Sequence, residues 1–367
     1  MRVAMVDPSA FTLPYDHALS AALARAGADV ELFTSRFAYG AGPVPDGYAL
    51  RELFYRHAVG APGSTLRRAA KLLEHGPDML RLRRRVKEGF DVAHFQWLAV
   101  QWLDGRLLPR QAPVVLTAHD LLPREARAGQ AAAQRRLYDR VAAVIVHSDY
   151  GRLQLVERLG VPANKVRVIH HGAFTHLTAL PAAPLAPELA GVEKPVVLFF
   201  GLLRPYKGLD TLLAAWRGID AAELWIVGRP RMDLAPLRAA AGPGVRFVPR
   251  FVSDAELAAL FRRADAVVLP YARTERLDFS GVLATALAFG KAVLLSDVGG
   301  FGELAATGAA RLVAPGDTAA LHDGLHALVH DPDGRARLGA AALAAARGPY
   351  SWAAAAKATL SLYGELA

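Results

Sequence analysis

The 367-residue chain has no cysteine, which excludes disulfides, thiolate nucleophiles and Cys-ligated metals. No uninterrupted apolar run is long enough to span a bilayer. The opening MRVAMV is too short for the apolar segment of a signal peptide and reads as a first strand, so the chain is expected in the cytoplasm. Two nucleotide fingerprints are also missing. The loop after that strand carries no GxGxxG, which disfavours a dinucleotide-dependent oxidoreductase, and no GxxxxGK[ST] supports P-loop ATP hydrolysis.

What remains is a globular composition, 53% hydrophobic and 21% charged, in a chain long enough to require two cores. Forty-three Lys and Arg against 34 Asp and Glu give a net charge of +9. Such a surface favours anionic lipid, nucleic acid or small anions, and arginine used simply as a solvating residue explains it equally well. Residues 62–90 concentrate the charge. Leu66, Leu72 and Leu73 alternate with Arg67, Arg68 and Lys71, and a second basic run follows Gly76-Pro77. The spacing predicts two short amphipathic helices, either facing an anionic membrane through residues 66–87 or forming an ordinary solvated face. Nucleic acid is not expected, because no aromatic platform or known module accompanies the charge.

Strand and helix patterns alternate along the chain. Strands are predicted over 2–6, 29–34, 91–95, 114–117, 143–146 and 166–169, and again over 196–200, 224–227, 245–248, 266–269 and 292–295. The Pro/Ala-rich stretch 181–194 reads as a linker between domains 1–180 and 195–349. A terminal helix over 350–367 is long enough to pack back on the first domain. Ser253 and Glu256 spell a capping box.

Three places carry chemistry. His119 follows the 114–117 strand at the edge where α/β sheets bind ligands, and reads as a catalytic imidazole or as a strand-end histidine. His147, His170 and His171 match no zinc spacing, so no metal is expected. Arg204 and Lys207 lie in a Gly-bounded loop after a strand and suit a diphosphate. Finally, Ser280-Gly281 opens an Ala-rich helix followed by a strand and Gly299-Gly300, so free backbone N–H groups face an anion there.

The order and spacing of Phe200 to Gly208, Asp265 to Glu303 and Thr117-Ala118-His119-Asp120 resemble the retaining glycosyltransferases of family 4, over nearly the full length. The resemblance implies an α/β chain of the GT-B fold, two Rossmann-like parallel-sheet domains facing across a cleft. It implies transfer of a sugar, commonly a hexose, from a nucleotide-diphosphate sugar to a hydroxyl of a glycan, lipid-linked acceptor or secondary metabolite. No cofactor or metal is implied. Lys207 and a nearby arginine would bind the diphosphate, the amides of Gly281 and Val282 would face the distal phosphate, and His119 would lie beside the transferred sugar. Three departures from the family pattern stand out. Leu277 and Thr285 occupy the positions of its paired glutamates, leaving Glu275, Asp278 and Thr285 to meet the sugar and ribose. Leu202 replaces the usual arginine, with Arg204 as substitute. The Gly-Gly pair after the first strand is replaced by residues 9–16, where Tyr15 and Asp16 are the acceptor-side candidates. Loss of both carboxylates also fits a non-catalytic nucleotide-sugar-binding scaffold, and the basic run fits a peripheral membrane protein.

Overall fold

A computed structural model describes residues 1–37, 42–60, 64–122, 129–181, 183–274 and 278–367. It divides into two units, Met1–Gly172 with Trp352–Ala367, and Ala173–Ser351.

The first unit is built on a seven-stranded parallel sheet. Its strands are β1 (Arg2–Asp7), β2 (Asp29–Ser35), β3 (Ala49–Phe54), β4 (Val92–Phe95), β5 (Val114–Thr117), β6 (Ala143–Val146) and β7 (Val166–Val168), in the order β3-β2-β1-β4-β5-β6-β7. The second unit has six parallel strands, β8 (Val196–Phe200), β9 (Glu223–Val227), β10 (Val245–Val248), β11 (Ala266–Leu269), β12 (Ala292–Ser296) and β13 (Ala310–Val313), ordered β10-β9-β8-β11-β12-β13. The order reverses between β1 and β4 in one sheet and between β8 and β11 in the other. Loops leaving the carboxyl ends of strands diverge at such a point and open a crevice for ligands.

The central strands are covered on both faces, which is why they read as continuous apolar runs. Val3 to Val6 and Val267 to Leu269 are fully buried. β3, one of two strands with no counterpart in the sequence pattern, sits at an edge and is largely exposed. The capping box forms as its spelling requires, with Ser253 Oγ accepting from Glu256 N at 3.3 Å and Glu256 accepting from Ser253 N at 2.9 Å. Hydrogen bonding from Arg250 holds the Glu256 carboxyl down at about 2.

Two expectations change. The basic run folds as one helix, Thr65–Lys87, with Pro77 inside it. A proline removes one backbone donor and strains the turn before it. Anchors on both sides hold the helix together: His75 is buried on one side of the proline, and Asp78, Met79, Leu82 and Val86 on the other. His75 accepts or donates to Tyr55 Oη at 2.7 Å and meets Asp104 at 2.5 Å, while Asp104 accepts from Val100 N at 2.7 Å. The stretch 181–194 lies inside the second unit. There Leu189 is fully buried, and Arg263 donates to the carbonyls of Val192 and Lys194 at 2.8 and 2.7 Å. Its composition signals the lack of a regular helix or strand, and arginine side chains supply the contacts that regular structure would have made.

The terminal helix Trp352–Leu366 packs on helix Leu13–Arg25 of the first unit. The Tyr363 hydroxyl meets His94 Nδ1 at 2.6 Å, and the Trp352 ring lies so close to Gly172 that a Cβ there would come within 2.2 Å of it.

Candidate active site

At the carboxyl edge of the first sheet the chain gathers aromatic and imidazole rings. β5 ends at Thr117, so the partly buried His119 projects from the loop beyond it. Gln96, just past β4, fixes that ring. Its amide nitrogen faces Met5 Sδ at 2.9 Å and His94 Nε2 at 3.3 Å, which turns Oε1 toward His119 Nε2 at 3.0 Å. An amide oxygen only accepts, so His119 carries its proton on Nε2. Trp97 stacks on the imidazole with centroids 5.5 Å apart, and Tyr15 meets it edge-on at 4.6 Å. His147 Nε2 lies 3.4 Å from His119 Nδ1, while His147 Nδ1 donates to the Ile169 carbonyl at 2.9 Å.

A buried carboxyl pair underlies the loop after β1. Asp7 accepts from the amides of Ser9 and Thr12 at 3.1 and 3.0 Å, holding Ala10 at a φ of 52°. A non-glycine residue there costs about 1–3 kcal/mol, which the two hydrogen bonds offset. Thr12 Oγ1 donates to Asp16 at 3.2 Å and accepts from Trp97 Nε1 at 2.9 Å. Burial and the neighbouring Asp7 charge push the Asp16 carboxyl well up, and burial raises Asp7 as well. Of the two, Asp16 is the carboxyl pushed further toward its neutral form.

Of the two acceptor-side candidates, Asp16 is 0% and Tyr15 4% exposed. Asp16 holds the loop from beneath. Tyr15 forms the floor on which His119, His171 and Trp352 rest, at 4.6, 4.9 and 5.0 Å. Phe11, 67% exposed and 5.6 Å from Trp97, is the group of that loop which meets solvent.

The second unit places its candidate residues around the carboxyl ends of β8 and β11. Gly201 turns the chain out of β8 at a φ of 115°, and Gly208 turns it into helix Leu209–Trp216 at 70°. A Cβ on Gly208 would fall 1.9 Å from the Pro270 carbonyl oxygen, so only glycine fits where this loop crosses the end of β11. Between them Lys207 is 6% exposed, and its ammonium sits 5.0 Å from the Tyr271 ring centroid. A Cβ on Gly201 would lie 2.8 Å from Lys207 Nζ and 3.1 Å from Val282 Cγ2. The lysine, the bare glycine backbone and the first turn of helix Gly281–Ala288 thus converge on one spot. Ser280, before that helix, makes no capping bond, and its hydroxyl meets Tyr271 Oη at 3.3 Å instead. The first amides are left for a ligand by the cap residue itself. Lys207 lies on an aromatic face at the positive end of a helix dipole, an arrangement that suits an anion.

The remaining candidates divide. Thr285 is buried and its hydroxyl donates to the Gly281 carbonyl at 2.9 Å, which leaves the oxygen only as an acceptor. Asp278 is fully buried, and its carbonyl accepts from Gly300 N at 3.0 Å, tying the pre-helix loop to the Gly299-Gly300 turn. Glu275 lies outside the described residues. Arg204 is half-buried at the start of the loop, ahead of the 3₁₀ turn Pro205–Lys207. The supporting roles of Gln96, Trp97, Asp7 and Thr12 had no sequence signal, since each depends on contacts between distant strands. Among the described residues no three His, Cys, Asp or Glu side chains group as a metal cage.

Two doubly wound parallel sheets, each with polar groups at its carboxyl edge, place the chain in the class built from two Rossmann-like units. The chain belongs to the family 4 glycosyltransferases. Residues 16–177 match the model described as Glycosyltransferase Family 4, and residues 194–331 the model described as Glycosyl transferases group 1. The phosphatidyl-myo-inositol mannosyltransferase of Mycobacterium leprae is 30% identical over 399 residues, covering 100% of this chain and 97% of the relative. The D-inositol 3-phosphate glycosyltransferase of Nocardia farcinica is 29% identical over 378 residues, covering 93% of this chain and 81% of the relative. Among solved structures, sucrose-phosphate synthase from Thermosynechococcus elongatus superposes with a TM-score of 0.75 at 22% identity, covering 100% of this chain and 99% of the other. Anabaena HepE in complex with UDP-glucose gives a TM-score of 0.74 at 18% identity, with each chain covered in full. These two likenesses concern the fold.

Proposed function

We propose that this enzyme transfers a hexose from a nucleotide-diphosphate sugar, with retention of anomeric configuration, to a hydroxyl of a phosphate-bearing or lipid-linked acceptor. The observation that carries the donor assignment is the convergence of Lys207 Nζ, the Gly201 backbone and Val282 at the first turn of helix Gly281–Ala288. Lys207 and Arg204 neutralise the diphosphate and the amides of Gly281 and Val282 take the distal phosphate, so charge developing on the leaving group is stabilised without a metal. The anomeric C–O bond to the diphosphate breaks as the acceptor oxygen bonds to the same carbon. The acceptor proton passes to the departing phosphate oxygen. His119, with Nε2–H fixed by Gln96, orients the transferred sugar.

Lys207→Ala removes a charge-assisted bond worth about 1.5–3 kcal/mol, so donor affinity should fall about 10–100-fold. Calorimetric titration with UDP-glucose, GDP-mannose and related donors measures this. An unchanged affinity for a donor that the wild type binds refutes the assignment.

The acceptor reading rests on helix Thr65–Lys87. Leu66, Leu73 and Leu80 recur at seven-residue spacing on one face and are 60, 80 and 45% exposed, among arginines. We propose that this face rests on an anionic membrane, where the leucines enter the headgroup boundary and the arginines meet phosphates. No helix among the described residues is long and apolar enough to cross one. The protein should sediment with phosphatidylglycerol vesicles at low salt and be released at about 0.5 M salt, where the Debye length shrinks below about 5 Å. Leu73→Glu should weaken retention. Absence of binding at low salt defeats the membrane reading and leaves the donor assignment untouched.

A second reading, a nucleotide-sugar binder without turnover, is favoured by one observation. Thr285, the position where the resemblance implies a glutamate, spends its hydroxyl proton on its own helix. Sugar-nucleotide hydrolysis assays on the donors found by calorimetry separate the two.

A further inference from the structure

Helix Thr318–His330 carries His322, His326 and His330 four residues apart, on a stripe that starts beside its buried Leu321 and Leu325 and turns away from them toward His330. Residues at i and i+4 lie one turn apart on the same helix face. The His326 and His330 rings stack with centroids 4.1 Å apart and planes inclined by 24°, whereas those of His322 and His326 are 6.3 Å apart. His326 and His330 are exposed and His322 is half-buried. Nothing in sugar transfer accounts for this ladder.

The tautomers follow from hydrogen bonding. His330 Nδ1 lies 2.9 Å from the His326 carbonyl, and His322 Nδ1 lies 2.8 Å from the Ala215 carbonyl. A carbonyl oxygen accepts only, so in both rings Nδ1 holds the proton and Nε2 keeps its lone pair. An imidazole whose Nδ1–H is tied to a carbonyl is oriented as metal-binding histidines usually are, with the second nitrogen available as ligand.

We infer that His326 and His330 form a two-histidine chelate, through Nε2 of His330 and one ring nitrogen of His326, for a borderline divalent transition ion, the remaining coordination positions being filled by water. Two nitrogens bound at about 2.0–2.1 Å to one ion lie no more than about 4.2 Å apart. The ring centroids are 4.1 Å apart, and turning the exposed His326 ring about χ2 brings one of its nitrogens toward His330 Nε2 while the His330 Nδ1–H bond to the His326 carbonyl is kept. Two imidazoles with open positions suit Cu²⁺, Ni²⁺ and Zn²⁺, with Cu²⁺ bound most tightly, and do not suit Mg²⁺ or Ca²⁺, which require oxygen ligands. The bound ion bridges adjacent turns of a helix that packs on helix Leu209–Trp216, so it stabilises the second unit.

The test uses the untagged full-length chain titrated with NiCl₂ and, separately, MgCl₂ by calorimetry, with Cu²⁺ loading followed by electron paramagnetic resonance. One Ni²⁺ should bind per chain, Cu²⁺ should show nitrogen coordination, and Mg²⁺ should give no heat at this site. His326→Gln and His330→Gln should each weaken Ni²⁺ binding by at least about tenfold, since even supporting residues behind a ligand are worth about 10–100-fold. His322→Gln should leave it unchanged. Both substituted side chains are exposed, so the variants keep the wild-type melting temperature without metal and lose the metal-induced rise. Equal Ni²⁺ affinity in wild type and the His326→Gln, His330→Gln double variant overturns the assignment, as does a loss confined to His322→Gln.

Discussion

His119→Ala is expected to lower the turnover number about 10²–10⁴-fold while leaving donor affinity within about twofold of wild type. The magnitude is that of a positioned polar group or general catalyst in a preorganised site. The separation of the two effects comes from architecture. His119 belongs to the first unit, whereas Lys207, Gly201 and the first turn of helix Gly281–Ala288 belong to the second. His119 is also held on several sides, by Gln96 at 3.0 Å, Trp97 at 5.5 Å, Tyr15 at 4.6 Å and His147 at 3.4 Å. Removing the ring costs some packing, but the sheet edge keeps its other aromatic contacts. His119→Gln retains a hydrogen-bonding group without the ring and should recover part of the loss. Steady-state kinetics beside donor titration of the same preparations measure both quantities. Unaltered turnover in His119→Ala removes this residue from the mechanism, and a parallel loss of donor affinity makes it a binding group instead.

Acidification should unfold the first unit well before most carboxylates are protonated. Burial holds His94 at about 3, His147 at about 4 and His171 at about 3. In the unfolded chain each titrates near about 6.5. Their depressed native values mean that the associated stability is fully present above about pH 6.5 and is lost as pH falls toward 4, because the unfolded state takes up protons that the native state refuses. Asp16 works in the opposite sense. Its raised native pKa adds stability below its unfolded value of about 3.9 and loses it as pH rises through the native value, so together with the raised Asp7 it offsets part of the histidine effect. Three histidines acting in one sense outweigh that offset, so the first unit loses stability as pH falls from about 6.5 toward 4. Circular dichroism melts between pH 7.5 and 4.5 should show this fall. His171→Asn should make it shallower, and Asp16→Asn, which mimics the protonated acid, should make it steeper. Equal melting temperatures at pH 7 and pH 4.5 contradict the account.

The sheets were legible in the sequence because their inner strands are buried on both faces and spelled as short apolar runs. β3 and β13 were missed for the complementary reason. ALRELF and ARLV lie at sheet edges, where exposed faces admit arginine and glutamate and the run is broken. Pro77 misled because proline marks a helix end in isolation, and two flanking sets of buried anchors outweigh it. Lys207 and Gly208 could be read directly, since a glycine at positive φ beside a cation is a local requirement. The four histidines could only be seen as a group without a zinc spacing. What separates His119, partly exposed and tied to Gln96, from the buried His147 and His171 is burial, and burial is set by strands far apart in the chain. Asp16 shows the same limit, since an exposed acid and a buried one are spelled alike.

The terminal helix has a consequence for how the protein is made. The second unit is a continuous stretch of chain, but the first is split, and its sheet is covered by residues from the far end. Tyr363, which meets His94, follows it by 269 positions. At about 5–20 residues per second, His94 leaves the ribosome roughly 13–54 s before its partner exists. Helix Leu13–Arg25 has no terminal helix to cover it during that time. The unit synthesised first is therefore the last to be completed, and a chain arrested before Trp352 should present a finished second unit attached to an open first one.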